Sequence, residues 1–253
     1  MRALVQNIAT GATLRDGAGA ALPTAAGFRS AALVEPCLDT VWRAVVARVT
    51  HEVVLDLGAA RQADCCAVFD VAADYDMQAA VSVSTGTSST GPWTLAAQLT
   101  PGGRRDWGGS FQARSARYWR IGIQPKLFAA TALEVAHIAL GMATTLRRGE
   151  ATREAAETPR VTIVGSQATK FGEPVVSFSL RWATLTGGDH AELLALWRAT
   201  GGPLRPIVLW PDASKPGALY LGRLGSDLRW SESVPVYSGH ELTFTEMERV
   251  LRG

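Results

Sequence analysis

Cysteine is scarce, with three in 253 residues: Cys37 and the adjacent pair Cys65-Cys66. An odd count with two neighbours makes no disulfide framework. The chain therefore reads as one folded in a reducing compartment, or as one that needs no bridges. Histidine is as sparse. His51, His137, His190 and His240 are dispersed, without H-x-x-x-H or H-E-x-x-H spacing, which removes the usual histidine metal sites. Charge of one sign is missing too. The 25 Lys+Arg and 23 Asp+Glu leave a formal net charge of +2, and the densest basic spots are the pairs Arg104-Arg105 and Arg147-Arg148. A nucleic-acid surface needs a basic stripe, so no nucleic-acid partner is expected. No run approaches the ~18 consecutive apolar residues of a membrane span. The start, Met1 to Asn7, lacks the apolar stretch of a signal peptide. The expectation is a chain neither secreted by that route nor spanning a membrane.

Catalytic signatures are also absent. The sequence has no G-x-S-x-G, no Cys set for thiolate activation, and no Gly-rich phosphate loop opening a helix. Nothing nominates a catalytic residue or a cofactor, and the expectation is a non-enzymatic protein. A glycosidase-style carboxylate pair stays open, because the fold sets such partners.

What is present is an ordinary globular composition, 47% hydrophobic and 19% charged. That length holds one large domain or two ordinary ones with a real core. Short β-rich runs bounded by turn residues dominate the first half. Glu52 to Gly58 stops at a Gly, and Ala63 to Phe69 is an apolar run in which one cysteine should face in and the other out. Gln78 to Thr85 alternates with the period of a half-buried strand. In Tyr118 to Ile123, Trp119, Ile121 and Ile123 share one face. Leu133 to Met142 suits a helix by its apolar residues, but its β-branched Val135 and Ile138 favour a strand. Loops rich in Gly, Ser, Thr and Pro separate these runs, which predicts a mainly β sandwich or barrel.

From Thr144 to Arg160 the chain turns polar and charged, and reads as a connector. Strands resume at Arg160 to Gly165 and Pro174 to Trp182, where Val176, Phe178, Leu180 and Trp182 share a face. One helix follows. Asp189 is placed to cap it with Glu192 three residues on, Gly201 closes it, and Leu193, Leu196 and Trp197 form its buried stripe. Ile207 to Trp210, Ala218 to Leu224 and Glu241 to Met247 predict three further strands.

Two clusters are candidate sites. Trp107 lies between glycines in the loop Pro101 to Gly109, beside Arg104 and Arg105. If exposed, such a group suits a sugar ring or a protein partner. Folded back, Trp107 would cap the core instead. Asp70, Asp74 and Asp76 crowd one segment. Closely spaced aspartates can ligate calcium, with Asp74 and Asp76 the metal candidates, although Asp is also an ordinary turn former.

The first half carries a recognisable order. Trp42 precedes Val53-Val54-Leu55-Asp56-Leu57-Gly58. The run Ala63 to Phe69 comes next, then Val81-Ser82-Val83-Ser84, Gly91-Pro92-Trp93-Thr94 and Ala116-Arg117-Tyr118-Trp119-Arg120-Ile121. Over residues 30 to 143 this resembles the discoidin, or coagulation factor 5/8 type C, family of galactose-binding-like jelly rolls. Ser88 to Pro92 replaces that family's usual Asp-Gly before the Trp, and its terminal disulfide has no counterpart. The family's ligand contacts come from variable loops, so the resemblance transfers no binding residue. The second half has a helix, the strand ending Trp210-Pro211-Asp212, then Leu219 to Leu224 and Glu241 to Glu246. With it, the whole chain is similar to tail-tip and minor tail proteins of bacterial viruses.

The resemblance implies a structural component of a phage tail tip or baseplate, present in the virion tail and assembled in the host cytoplasm. Its partners would be other tail proteins in a symmetric assembly, and host glycan where the jelly roll faces outward. The alternative is a carbohydrate-binding module of a larger glycan-active system. The expected organisation is an extended interaction segment at 1–30, a discoidin-like jelly-roll β-sandwich at 31–143 and a connector at 144–160. A β-rich domain at 161–253 would follow, with its one helix at about 189–200.

Overall fold

The computed structural model describes residues 1–35, 38, 40–45, 50–73, 79–102, 105–125, 133–146, 150–156, 175–233 and 236–247. The chain is mainly β, with one α-helix among the described residues. In order, the strands are β1 (Arg2–Leu4), β2 (Thr13–Arg15), β3 (Trp42–Arg43), β4 (His51–Phe69), β5 (Ala72–Ala73) and β6 (Ala79–Gly86). Next come β7 (Trp93–Gln98), β8 (Thr100–Pro101), β9 (Trp107–Pro125), β10 (Leu133–Val135), β11 (His137–Gly141) and β12 (Ala143–Thr145). The chain continues through β13 (Glu150–Ala156), β14 (Val175–Leu185), α1 (Gly187–Thr200), β15 (Ile207–Trp210), β16 (Tyr220–Ser233) and β17 (Val236–Glu246). Two units result. One comprises residues 6–143 with 212–219, the other 1–5, 144–211 and 220–253.

The first unit is a jelly-roll β-sandwich. Its larger sheet runs β11-β4-β9-β6-β7, with β2 added on β4 and β8 on β9, and its smaller sheet runs β3-β10-β5. The two 19-residue strands β4 and β9 pair along their whole length, from His51↔Ile123 to Val68↔Trp107. Each serves different outer neighbours at its two ends: β4 meets β2 at 54–56 and β11 at 65–69. The runs 52–58 and 63–69, expected as separate strands, are therefore one. Gly58, at φ +73, and register shifts between Asp56/Arg61 and Ala63/Cys65 bend the strand without ending it. The reverse happens at 133–142. Chain expected as one strand breaks at Ala136, sending β10 to the small sheet and β11 to the large one. Val53, Leu55, Trp119, Ile121, Ile123 and Leu133 lie in the core.

Two expectations need correction in this unit. Cys65 and Cys66 do not face opposite environments, because β4 is covered on both faces there and both side chains are buried. Cys66 joins the core, and the Cys65 thiol donates to the Gly141 carbonyl at 3.2 Å. Cys37 lies outside the described residues. Met1 to Ser30 is not a separate arm. Ile8, Ala9 and Leu22 sit in the sandwich core, and Ile8 N–H donates to the Leu140 carbonyl at 2.8 Å. Asn7 fastens the same strand, donating to Ile138 O and accepting from Leu140 N–H, both at 3.0 Å.

The second unit is a seven-stranded sheet, β12-β1-β15-β16-β17-β14-β13. Val176, Phe178, Leu180 and Trp182 of β14 and Leu242 and Phe244 of β17 are all buried, as strict alternation requires when one face of a sheet is covered. Leu193 and Leu196 of α1 join the same core, while Trp197 is only partly buried against it. The helix cap differs from the expected one. Thr186 is the cap residue, and Asp189 fills the reciprocal place in the capping box, as acidic N3 residues do. Gly201 closes the helix at φ +62. The stretch 144–160, expected as a connector, contributes β12 and β13; Glu150 to Ala156 pairs in register with Arg181 to Val175. The expected strand 160–165 lies outside the described residues.

The path of the chain between the units is informative. It leaves the sheet after β1, builds the sandwich, and re-enters at β12, and these two strands are neighbours. Met1 and Leu146 exchange backbone contacts there, with Leu146 N–H donating to Met1 O at 2.9 Å. Residues 6–143 are thus an insertion between two adjacent strands of the sheet, and 212–219 add a second, shorter stretch to the same unit. Such a site tolerates an inserted domain because the host sheet keeps its pairing on both sides.

Candidate functional site

One concavity in the sandwich gathers three segments far apart in sequence. Asp16, Leu22 and Pro23 come from the turn after β2, Trp42, Ala44 and Val45 from β3 and just beyond, and His51 and Glu52 from the start of β4. They surround a cavity of about 150 Å³. That is small beside the ~300–1,000 Å³ of drug-sized pockets, so it suits one compact group.

Local chemistry fixes each wall. Asp16 Oδ1 accepts from Ala18 N–H at 3.0 Å and Ala20 N–H at 2.9 Å, the Asx-turn arrangement that Asp favours. The turn passes through Gly19 at φ +83, and Arg15 Nη1 closes it on the Gly19 carbonyl at 3.1 Å. Trp42 is 2% exposed, and its indole N–H donates to Pro23 O at 3.0 Å, so it braces the wall and offers no open stacking face. Glu52 Oε1 accepts from Arg120 Nη1 at 2.6 Å, and Arg120 in turn lies 5.1 Å from the centre of the Trp93 ring. A Cβ at Gly17 would stand 1.8 Å from Glu52 Oε2, so the turn lies directly against the end of that side chain, which a larger residue would push aside. Val45, 54% exposed, sits at the mouth. The walls are largely hydrocarbon, and among the described residues no cation lines the cavity.

Of the residues singled out from sequence, none lines this cavity. Trp107 is 1% exposed and packed into the sandwich core, which corrects the exposed reading: its ring is not available to stack on a ligand. Arg105 is not presented to solvent as a ligand contact either. It adopts φ +62 and pairs with the buried Asp70, itself at φ +52, at 2.9 Å. Asp106 Oδ1 accepts from Asp70 N–H at 3.0 Å, and Val71 N–H donates to Arg105 O at 2.9 Å. The loop that looked like a binding surface is therefore a lock between the end of β4 and the start of β9. Arg104, Asp74 and Asp76 lie outside the described residues. Among the described residues no group of His, Cys, Asp and Glu is arranged to hold a metal ion.

Titratable groups elsewhere in the sandwich follow their surroundings. The Arg117 guanidinium, 2.7 Å from Asp56 Oδ1, holds the Asp56 carboxyl below its usual range against a smaller opposing effect of burial. Burial pushes the Cys66 thiol up to about 12, which leaves it protonated and inert. Burial also lowers His137 to about 4.

No family model matches the chain, and no curated protein matches it. Solved structures similar to it include a Ruminococcus gnavus GH29 fucosidase in complex with fucose, at 16% identity and TM-score 0.43, over 55% of this chain and 27% of that one. The lectin domain of lectinolysin complexed with Lewis B antigen gives 17% identity and TM-score 0.42, over 54% and 96% of the two chains. The CBM32 of AlyQ in complex with 4,5-unsaturated mannuronic acid gives 20% identity and TM-score 0.39, over 50% and 92%. The chain thus spans about a quarter of the fucosidase it matches. At these TM-scores the likenesses decide neither ligand nor activity, and the fold rests on the strand pairing described above.

Proposed function

We propose that the protein is a non-enzymatic binding protein whose sandwich holds a compact glycan group in the cavity between Asp16, Trp42 and Glu52. The observation that carries this reading is the composition of that cavity. Hydrocarbon from Leu22, Pro23, Ala44 and Val45 can meet the C–H face of a pyranose, while the Asp16 and Glu52 carboxylates at the edge can accept its hydroxyls. A titration of the intact chain with simple methyl glycosides, followed by backbone amide NMR, tests it. Saturable shifts in residues 16–23 and 51–52 are expected, and Val45→Arg should abolish them by filling the mouth without touching the core. Shifts scattered outside the cavity, or none with any glycoside, would overturn the reading.

A second reading, favoured by the inserted sandwich, is a structural component of a phage tail tip or baseplate. A sheet that carries a whole sandwich between two adjacent strands can assemble with neighbours and display the inserted module. Together with the sequence resemblance to tail proteins, this supports a role in the virion tail, assembled in the host cytoplasm through contacts with other tail proteins in a closed, symmetric ring. The two readings are compatible where the module touches host glycan. Solution mass by light scattering separates them: a discrete ring indifferent to sugar favours assembly, and a monomer stabilised by one sugar favours the binding module alone.

A further inference from the structure

We infer that β7 is an assembly edge, which pairs antiparallel with β7 of a second copy of this chain and so joins the large sheets of two sandwiches about a two-fold axis. The strand stands at the end of the order β11-β4-β9-β6-β7, and among the described residues it pairs only with β6. Its far side therefore presents a row of backbone N–H and C=O groups, which another extended strand can pair in series. Exposure agrees with this. Thr94, Leu95 and Gln98 are exposed, Leu95 at 51%, and the remaining residues of the strand are only partly buried. The strand is nonetheless held firmly to its own sheet. Trp93 lies across its partner Gly86, where a Cβ would stand 2.7 Å from the ring, and the Arg120 guanidinium sits 5.1 Å from the ring centre.

The other strands at the ends of sheets are each blunted. β12 has three residues, and β3 and β5 have two apiece. β13 carries Glu150, Arg153 and Glu154 in its sequence. β11 is buried at every position, and the amino-terminal segment covers it: Leu140 O accepts from Ile8 N–H, and Leu140 N–H donates to Asn7 Oδ1. Short length, charge and cover are the devices that keep natural sheet edges from pairing. β7 has none of the three. Its six residues, Trp-Thr-Leu-Ala-Ala-Gln, include no charge and no proline, and its one irregularity is a register shift against β6 between Val83 and Ser84. The same composition selects the occupant. In antiparallel pairing of a strand with its own copy, residues near the middle lie opposite or beside themselves, so any charge there meets its like and repels. Leu95 and Ala96 hold the middle of β7, and both are neutral and apolar. No residue of β7 lines the cavity, so this contact stands or falls apart from the glycan reading.

The test is sedimentation of the intact chain over a wide range of concentration, paired with amide hydrogen exchange. The mass should rise toward twice the 26.9 kDa of one chain. Amides of 93–98 should exchange more slowly as concentration rises, while those of β14 and β17 keep a constant rate. Leu95→Lys sets like charges beside the two-fold axis at a residue outside the core, and should weaken association about tenfold or more. Thr94→Lys is a second variant of the same kind. Leu95→Thr, neutral and suited to a strand, should still pair. A monomer at every concentration would overturn the inference. So would an oligomer that survives both lysine variants with 93–98 exchanging at the monomer rate. Equal loss of pairing in Leu95→Thr and Leu95→Lys would overturn it too, since the contact would then belong to the leucine side chain and not to the strand edge.

Discussion

The two units bury their strands in different ways. In the second unit β14 and β17 are covered on one face: Val176, Phe178, Leu180 and Trp182 are buried, while Ser177 and Ser179 between them are partly exposed and Arg181 is exposed. In the sandwich, His137–Gly141 and 65–69 are buried at every position, because both faces are covered. A sheet covered once leaves every second residue to water and announces itself by period. A strand covered twice must be apolar or hydrogen-bonded throughout, so period disappears. The consequence extends to chemistry. Full cover traps polar groups inside the sandwich: His137, Asp70 and Asp106 are each 1% exposed. Such groups hold the fold only while their charge states suit burial.

The largest test of this contrast is deletion of a ring. Trp119 is fully buried in the sandwich core, and Trp119→Ala should cost about 3–5 kcal/mol. Amide exchange should then show protection lost in β4, β6 and β9 while β14 and β17 keep theirs. Loss of protection throughout would mean that the units do not behave as separate bodies.

Acid is the next lever. His137 packs 6.1 Å from the Phe69 ring and lies 3.3 Å from Asn7 Nδ2, and burial lowers its pKa from 6.5 to about 4. Above pH 6.5 it is neutral folded or unfolded and adds no pH dependence. Between 6.5 and 4 the unfolded chain takes up a proton that the folded chain refuses, so stability falls as pH falls. Below 4 the loss levels off, at about 3 kcal/mol in all. Chemical denaturation of the native chain and of His137→Phe across that range checks the slope, which should flatten in the variant.

The second unit offers a smaller effect. Thr186→Ala removes the cap acceptor of α1 at the Asp189 N–H and should cost about 1 kcal/mol, read as a lower melting temperature of that unit alone. The smallest effect is an absence. Cys66, fully buried and pushed up to about 12, should resist alkylation in the folded chain and react once denatured, as mass spectrometry would show.

Legibility followed the same divide. The β14 face, the strand 207–210, the helix stripe at Leu193 and Leu196 and the Gly201 stop all stand where the residue pattern put them, because each depends on neighbours within a few positions. Even there the cap moved from Asp189 to Thr186, two residues of the same polar class three positions apart. In the sandwich, the apolar run 63–69 was readable as a strand but its two-sided burial was not, nor its fusion with 52–58 across Gly58. The site was hardly legible. Trp107 drew attention for its glycines and arginines, yet the Arg105–Asp70 pair folds that loop shut. Asp16 and Glu52 carry no local mark beyond a turn and a strand start.

What the sequence by itself determined is the class of element at each place and the side of each once-covered strand, since side-chain alternation, capping and turn formation are contacts between near neighbours. Only the tertiary structure decided that Arg2–Leu4 joins a sheet completed after residue 143, and that Asp16, Trp42 and Glu52 share one cavity. Those are pairings across long stretches of chain. Their free energy comes from surfaces that meet only after folding, and no periodicity in the residues records which surface will meet which.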